Sequence, residues 1–278
     1  MVTGERTTAG EAEPARSCCG LPARARAVTR HQWHQARRSW AWLVGSREFT
    51  NFTYELTTEN VVEMAWFVAA VTGLGFDESF GYIEELHNDQ ALRDHLSRAV
   101  TDSPLRRVMD PEPRYGRRAA WYAIVRSTRP QHVVETGVDK GLGSCVFAAA
   151  LLRNADEGHP GRLTALDINR DAGALIGGEY ASVIDLRFGD SIAMLAASAS
   201  PVDLFLHDSD HRYEHESAEY RAVTGSLTEN TLAMTDHGGL ALSDYAKSSG
   251  RRFLMFREDP ADHWAPGEVL GVAMRVAT

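Results

Sequence analysis

The chain has 278 residues, a length that suits one or two domains with a sizeable hydrophobic core. Its net charge of −9 disfavours nucleic acid as a partner, because binding to phosphates needs a basic surface. No apolar run approaches the roughly 20 residues of a membrane span, and the N-terminus lacks the apolar stretch of a secretory signal. We therefore expect a cytoplasmic protein that does not enter a membrane.

The N-terminal part of the sequence divides into a tail and a helical region. Residues 1–28 are rich in Gly, Ala, Glu, Thr and Arg without an apolar period, which predicts a disordered tail. Residues 29–114 carry helical patterns and a stretch that contains Trp33, Trp40 and Trp42. This region forms a lid or an oligomerisation surface, and a homodimer is among the expected assemblies. The alternative is that it is simply docked on the rest of the protein.

The helical patterns have recognisable ends. Thr57 or Thr58 can cap the first helix of the series, and Gly73 can end it. Prolines between residues 104 and 113 then break the pattern, and we place the domain boundary there. Residues 115–278 form the second predicted domain.

From residue 131 onward, short apolar runs alternate with helical segments. Such alternation predicts an α/β fold, in which a mainly parallel sheet has helices on both faces. The runs that we interpret as strands are residues 132–136, 162–168, 183–188, 202–208, 238–244, 251–258 and 268–277. In sheets of this kind, ligands bind at the carboxyl ends of the strands near the topological switch point.

A glycine-rich corner follows the first predicted strand, in the sequence VVETGVDKGLGS. Gly137, Gly141 and Gly143 indicate that the backbone turns sharply there or that a ligand approaches it closely. Their spacing does not match the G-x-G-x-x-G fingerprint of nicotinamide dinucleotides. The carboxylate of Glu135, just before the turn, would repel a pyrophosphate but attract an ammonium group. A ligand with a cationic amino-acid end and a nucleoside end therefore fits this corner better than a dinucleotide.

Acidic residues also follow the next two strands. Asp167, in TALDIN, is placed to accept both hydroxyls of a ribose. Asp190, in RFGDS, is placed to accept an adenine amino group, with Ser191 beside it. Either aspartate alone could be an ordinary helix cap. Together with Glu135 and the glycines, they predict a cradle for a nucleoside.

These motifs, together with the run DLFLHDSDHRYE, resemble class I S-adenosylmethionine-dependent methyltransferases. The last run is most similar to small-molecule O-methyltransferases of the macrocin and cephalosporin-tailoring type, and the resemblance covers roughly residues 115–278. It implies a Rossmann-like sheet of seven strands, the last one antiparallel, which here follows an N-terminal helical extension. It also implies S-adenosylmethionine as the cofactor, held by Glu135, Thr136, Gly137, Gly141, Gly143, Ser144, Asp167, Ile168, Asp190, Ser191 and Asp208.

The expected reaction is methyl transfer to an oxygen or nitrogen of a small molecule, with a secondary metabolite as the expected class. The enzyme must mainly hold the acceptor in line with the methyl group, and it can also remove a proton. Asp208 ends a predicted strand beside the expected methyl position. His211 is expected to titrate near neutrality, as suits a general base. We predict Asp208 and His211 as the catalytic residues.

Related enzymes often hold a magnesium ion with carboxylates that follow the fourth and fifth strands. The matching positions here are Asp208, Asp210 and Asp244, and a magnesium ion could lower the pKa of an acceptor hydroxyl. The other interpretation makes Asp208 and Asp210 turn and cap residues. Both interpretations stay open at this point.

Two other functions remain as alternatives, namely a nicotinamide-dependent oxidoreductase and a methyltransferase-like partner protein without catalysis. The second is favoured by a short connection, because only a few residues separate Tyr245 from Arg251. A parallel crossover normally needs a dozen or more residues. Asp244 is also a single acid where the family has a pair.

The aromatic residues of the stretch 47–56, REFTNFTYEL, have only a weak helical period. Apolar rings with polar tips suit the wall of a small-ligand pocket. We expect this stretch to form a mobile cover over the acceptor site. The alternative is that its rings only anchor the helices to the sheet or to a second subunit.

Overall fold

The computed structural model describes residues 20–48 and 52–275, and most of the predicted tail, residues 1–19, lies outside this part. The described chain begins with a 26-residue helix, α1 (Gly20–Gly45). The prediction of a disordered tail is therefore wrong for residues 20–28. Alanine and arginine dominate these residues and are among the strongest helix formers, so a helix can form there without an apolar period.

Three helices follow α1 in the described chain, and the ends of the first of them match the sequence signals. They are α2 (Thr58–Thr72), α3 (Phe76–His87) and α4 (Gln90–Thr101). The side chain of Thr57 caps α2 by accepting a hydrogen bond from the amide of Asn60 at 3.3 Å. Gly73 ends α2 in the left-handed conformation, with a φ of 79°.

The rest of the chain alternates strands and helices. Its elements are α5 (Arg118–Thr128), β1 (His132–Thr136), α6 (Leu142–Asp156), β2 (Arg162–Asp167), β3 (Ile184–Phe188), α7 (Ser191–Ala197), β4 (Val202–His207), α8 (Tyr213–Val223), β5 (Leu227–Thr235), α9 (Leu240–Ser248), β6 (Arg252–Arg257) and β7 (Val269–Met274). The strands form one sheet in the order β3-β2-β1-β4-β5-β7-β6. The final strand, β7, pairs antiparallel with both of its neighbours. The predicted α/β, Rossmann-like sheet of seven strands is confirmed.

One predicted strand is wrong. Residues 238–244 form two glycines and the first half of α9, whereas the fifth strand is β5, which lies earlier in the chain. The first half of β5 is exposed and polar, and only its last five residues are buried. An apolar run as short as LALSD cannot be assigned to a strand or a helix by its pattern alone. Because α9 is the connection between β5 and β6, the expected shortened crossover after Tyr245 does not exist.

Both faces of the sheet are covered by helices. On one face, α5 and α6 pack with α2, α3 and α4 in a core whose largest fully buried side chains include Trp121 and Tyr122. On the other face, α7, α8 and α9 pack around Phe205 and Tyr220. The strand order places the topological switch point between β1 and β4. No helix in the described part of the chain has the length and apolar character to cross a membrane.

Candidate functional site

A cavity of about 790 Å³ opens at the carboxyl ends of the strands on both sides of the switch point. Its volume is in the range of sites that bind small molecules. Nine of the eleven residues predicted to hold the cofactor line it: Glu135, Gly137, Gly141, Gly143, Asp167, Ile168, Asp190, Ser191 and Asp208. The other two, Thr136 and Ser144, are fully buried behind its wall. Whether these residues contact a cofactor stays a prediction.

The glycines of the corner make room for other parts of the protein. A Cβ atom on Gly137 would lie 2.0 Å from the carbonyl oxygen of Asp208, and the φ of Gly137 is 83°. A Cβ on Gly143 would lie 2.7 Å from the ring of Trp121 and 2.9 Å from a carboxylate oxygen of Glu135. The glycines therefore let β1, β4 and α6 approach each other at the edge of the cavity.

Glu135, at the end of β1, is almost completely buried under the corner. Its carboxylate accepts a hydrogen bond from the hydroxyl of Ser144. Burial raises the pKa of Glu135 to about 8, although Ser144 and the charge of Arg118 act in the opposite direction. A cationic group in the cavity would favour the ionised form of this carboxyl, as the sequence argument requires.

Asp167, at the end of β2, fixes the loop that carries the glycines. One of its carboxylate oxygens accepts hydrogen bonds from the amides of Val138 (2.8 Å) and Asp139 (3.0 Å). The other accepts a bond from the amide of Asn169 at 2.8 Å. Asp167 thus ties the ends of β1 and β2 together, in addition to lining the cavity.

The region expected to receive the adenine follows β3. Asp190 caps α7, because its carboxylate accepts a hydrogen bond from the amide of Ala193 at 2.9 Å. Asp190 therefore caps a helix, as the sequence allowed, and also lines the cavity. Ile168 is 79% exposed beside it, which leaves an apolar surface open to a ligand.

A buried charge network underlies the cavity beyond β4 and β5. The guanidinium of Arg117 donates to both carboxylate oxygens of Asp236 and, at 3.0 Å, to Glu258. Burial alone would raise the pKa of Asp236, but the charge of Arg117 lowers it below its ordinary value. Burial and the neighbouring Asp236 raise the pKa of Asp208 well above its ordinary value. Asp208 therefore holds a proton more readily than Asp236 does.

Two histidines and one acid, namely His211, His237 and Glu268, line the same cavity as Asp208. The ring nitrogen Nε2 of His211 lies 3.8 Å from an oxygen of Asp208. The ring of His211 stacks on that of His237, with centroids 4.4 Å apart, and Nε2 of His237 lies 3.3 Å from Glu268. Burial, His237 and His207 lower the pKa of His211 to about 4. The expectation that His211 titrates near neutrality is wrong, since this lowered pKa leaves the imidazole neutral at pH 7 and a weaker base than an ordinary histidine.

The predicted magnesium ligands do not fit a metal site. Asp210 is half-buried and pairs with Arg212, whereas Asp244 lies on α9, where it accepts a hydrogen bond from Tyr213 at 2.9 Å. Asp244 does not follow the fifth strand as expected, because β5 ends at Thr235 and Asp236 follows it. Within residues 20–48 and 52–275, no group of three or more His, Cys, Asp or Glu side chains is arranged to hold a metal ion.

A second part of the cavity wall is built from segments far apart in the chain. It includes Glu48, Phe52, Tyr54 and Met109, together with residues that follow β5 and precede β7. Tyr54 donates a hydrogen bond to Glu258 at 2.6 Å. The stretch 47–56 therefore contributes to the cavity wall, with residues 49–51 outside the described part.

The sequence analysis did not find several cavity residues. Arg117, Asp236, His237 and Glu268 were missed. The run TDHGG could have revealed two of them if β5 had been recognised, because it supplies an acid and a histidine at the end of a strand. Arg117 and Glu268 carry no local signal, since their role depends on partners that are distant in sequence.

Residues 134–237 match the family model of a methyltransferase domain. Similar solved structures include a putative O-methyltransferase from Klebsiella pneumoniae, with 15% identity over 68% of this chain and 91% of that chain and a TM-score of 0.49. An O-methyltransferase from Bacillus cereus in complex with SAH has 13% identity over 79% of this chain and 100% of that chain, with a TM-score of 0.47. The O-methyltransferase TomG from Streptomyces achromogenes, in complex with SAM, has 14% identity over 68% and 91% and a TM-score of 0.46. No curated protein matches the sequence.

Proposed function

We propose that the protein transfers a methyl group from S-adenosylmethionine to a small-molecule acceptor, because residues 134–237 match the model of a methyltransferase domain. The observation that carries this proposal is the cavity at the switch point, where acids from the ends of β1, β2 and β3 line one wall. A nicotinamide dinucleotide suits this wall less well, because its pyrophosphate would meet the carboxyl group of Glu135 at the glycine corner.

The lining supports one orientation of the cofactor. The amino-acid end lies at Glu135, whose carboxyl group ionises more readily beside an ammonium group. The ribose lies at Asp167 and the adenine between Ile168 and Asp190. The sulfonium then faces Asp208 and His211, at the centre of the cavity.

S-adenosylmethionine supplies a methyl group that is already activated for displacement. The protein must therefore hold the acceptor in line and accept the proton that an acceptor hydroxyl or amine releases. His211 is the group placed to accept it, because its imidazole is neutral and lines the cavity. Asp208, whose pKa is raised by burial and by Asp236, keeps a carboxyl group 3.8 Å from the same ring and helps to orient it.

The acceptor occupies the wall formed by Phe52, Tyr54 and Met109. Phe52 belongs to an aromatic cluster in which its ring lies 5.4 Å from that of Trp42 and 5.2 Å from that of Trp264. An apolar acceptor of small size, such as a secondary metabolite, matches these rings. In this proposal, the stretch 47–56 covers the acceptor and excludes water from the reaction.

We also propose that α1 mediates homodimer formation. The side chains of Trp33, Trp40, Leu43 and Val44 form an exposed apolar stripe along α1. The helix carries five arginines and no carboxylates, which gives it a charge of +5. Since the net charge of the whole chain is −9, the net charge of the other residues is −14. The acidic residues outside α1 in a second copy of the protein would attract this helix. An anionic membrane would repel those acidic residues.

The experiment that tests the function is a calorimetric titration of the folded protein with S-adenosylhomocysteine, and with NADH as the comparison. We expect saturable binding of S-adenosylhomocysteine only. Absence of binding, or binding of NADH in its place, would contradict the proposal.

For the dimer, light scattering should show a shift to monomer in the variant W33S/W40S and no shift in W66S, which removes an exposed tryptophan from α2.

A further inference from the structure

The buried carboxylate of Glu219, on α8, accepts hydrogen bonds from five side chains at the base of the cavity. Glu219 is fully buried and does not line the cavity itself. Its partners are the side chains of Thr136 (2.6 Å), His207 (2.7 Å), Ser209 (2.8 Å), His215 (3.1 Å) and Ser191. No step of the proposed reaction uses Glu219.

The five partners of Glu219 come from segments at or after the carboxyl ends of β1, β3 and β4. These strand ends, with that of β2, form the part of the cavity that we expect to hold the cofactor, here called the cofactor wall. Thr136 ends β1 immediately before Gly137, and His207 ends β4 immediately before Asp208. Ser191 begins α7 after β3. Ser191, Ser209 and His215 themselves line the cavity. One carboxylate thus connects the carboxyl ends of β1 and β4 with the loop that follows β3.

The charge of Glu219 is what allows so many contacts. Burial alone would raise its pKa, but His207, Ser191 and Thr136 together lower the pKa to about 2. The group is therefore ionised at neutral pH, with two oxygens that only accept hydrogen bonds. A glutamine has one acceptor oxygen and an amide that donates, so it could not satisfy the same set of donors.

We propose that Glu219 is a positioning residue for the cofactor, because it holds Ser191, Ser209 and the Asp208 segment in the arrangement that the cofactor meets. This inference rests on the proposed function of the cavity. Glu219 acts through its five partners and does not touch the ligand. Its loss should weaken cofactor binding even in protein that remains folded.

The experiment compares the dissociation constants of S-adenosylhomocysteine for the full-length wild type and the variants E219Q, E219D and E216Q. Glu216 is the matched control, since it is buried on the same helix and accepts a hydrogen bond from Tyr220 at 3.1 Å without lining the cavity. All titrations are made well below the melting temperature of each variant. We expect E219Q to bind about tenfold more weakly, the loss of one charge-assisted hydrogen bond, whereas E216Q binds as the wild type does. E219D keeps the charge and should recover part of the affinity.

The outcomes separate this inference from the proposed function. A wild type that does not bind S-adenosylhomocysteine would overturn the proposed function and the inference with it. A wild type that binds, together with E219Q that binds equally well despite a lower melting temperature, would overturn the inference alone and leave Glu219 a structural residue. If E219Q does not fold, the comparison uses T136V, which removes one donor and keeps the side-chain shape. Unchanged affinity in T136V would then overturn the inference.

Discussion

The two walls of the cavity are built in different ways. On the cofactor wall, the polar residues follow the ends of consecutive strands, and their contacts join loops of a repeated βα pattern, as between Asp167 and Val138. On the acceptor wall, the contacts join residues from opposite ends of the chain, as between Tyr54 and Glu258, which are 204 positions apart. The fold itself supplies the cofactor wall, whereas the acceptor wall depends on tertiary contacts between residues that are distant in the sequence.

The largest expected effect comes from Arg117, which links two buried carboxylates from distant parts of the chain. The variant R117M leaves Asp236 and Glu258 as buried charges without their partner. We expect the free energy of unfolding to fall by about 3–5 kcal/mol, measured by urea denaturation. The control R187Q breaks an exposed pair with Asp185 and should cost less than about 1 kcal/mol. Equal losses in the two variants would show that the buried pairs of Arg117 do not stabilise the fold.

The next effect concerns the reacting centre. The variant H211N removes the neutral imidazole, and we expect kcat to fall about 100-fold while the affinity for S-adenosylhomocysteine stays the same. Initial rates with a methyl acceptor and a parallel titration measure both quantities. H159N, which changes an exposed histidine far from the cavity wall, is the control. Normal turnover in H211N would transfer the role of base to another group, with His237 as the first candidate.

The pKa of Glu135 gives a dependence of stability on pH that belongs to the cofactor wall alone. The folded pKa of about 8 exceeds the ordinary value of 4.5, so the folded state binds the additional proton. The free energy of unfolding should therefore decrease as pH rises from about 4.5 to 8, by at least about 1 kcal/mol from this group. The variant E135Q should show a flatter profile in urea denaturation at several pH values. An identical slope in the two proteins would contradict a raised pKa for Glu135.

The smallest effect is expected for Asp244, which the sequence placed at the reacting centre and the structure places on α9. D244A should change kcat/KM by less than about twofold, because the residue only accepts hydrogen bonds from Tyr213 and Lys247 at the surface. Steady-state kinetics check this. A loss comparable with that in H211N would return Asp244 to the site.

The difference between the walls also explains what could be predicted from the sequence. The position of Glu135, Asp167 and Asp190 at the cavity could be predicted because a residue at or just after the end of a parallel strand lies at the ligand edge, whatever the rest of the chain does. Asp236 and His237 follow the same rule and were missed only because the polar start of β5 hid the strand. Arg117 and Glu268 obey no such rule, since tertiary packing alone brings them to the cavity. The pKa of His211 depends on burial, on His237 and on His207, and of these causes the motif HDSDH contains only His207.

The central claim is that the cofactor wall binds S-adenosylmethionine without help from the acceptor wall. Calorimetric titration of D167A and F52A with S-adenosylhomocysteine tests it most directly. D167A removes the carboxylate that ties the glycine loop and lines the ribose region, and F52A removes a ring of the acceptor wall. We predict no measurable binding in D167A and wild-type affinity in F52A. Wild-type affinity in D167A, or loss of binding in F52A, would contradict the account.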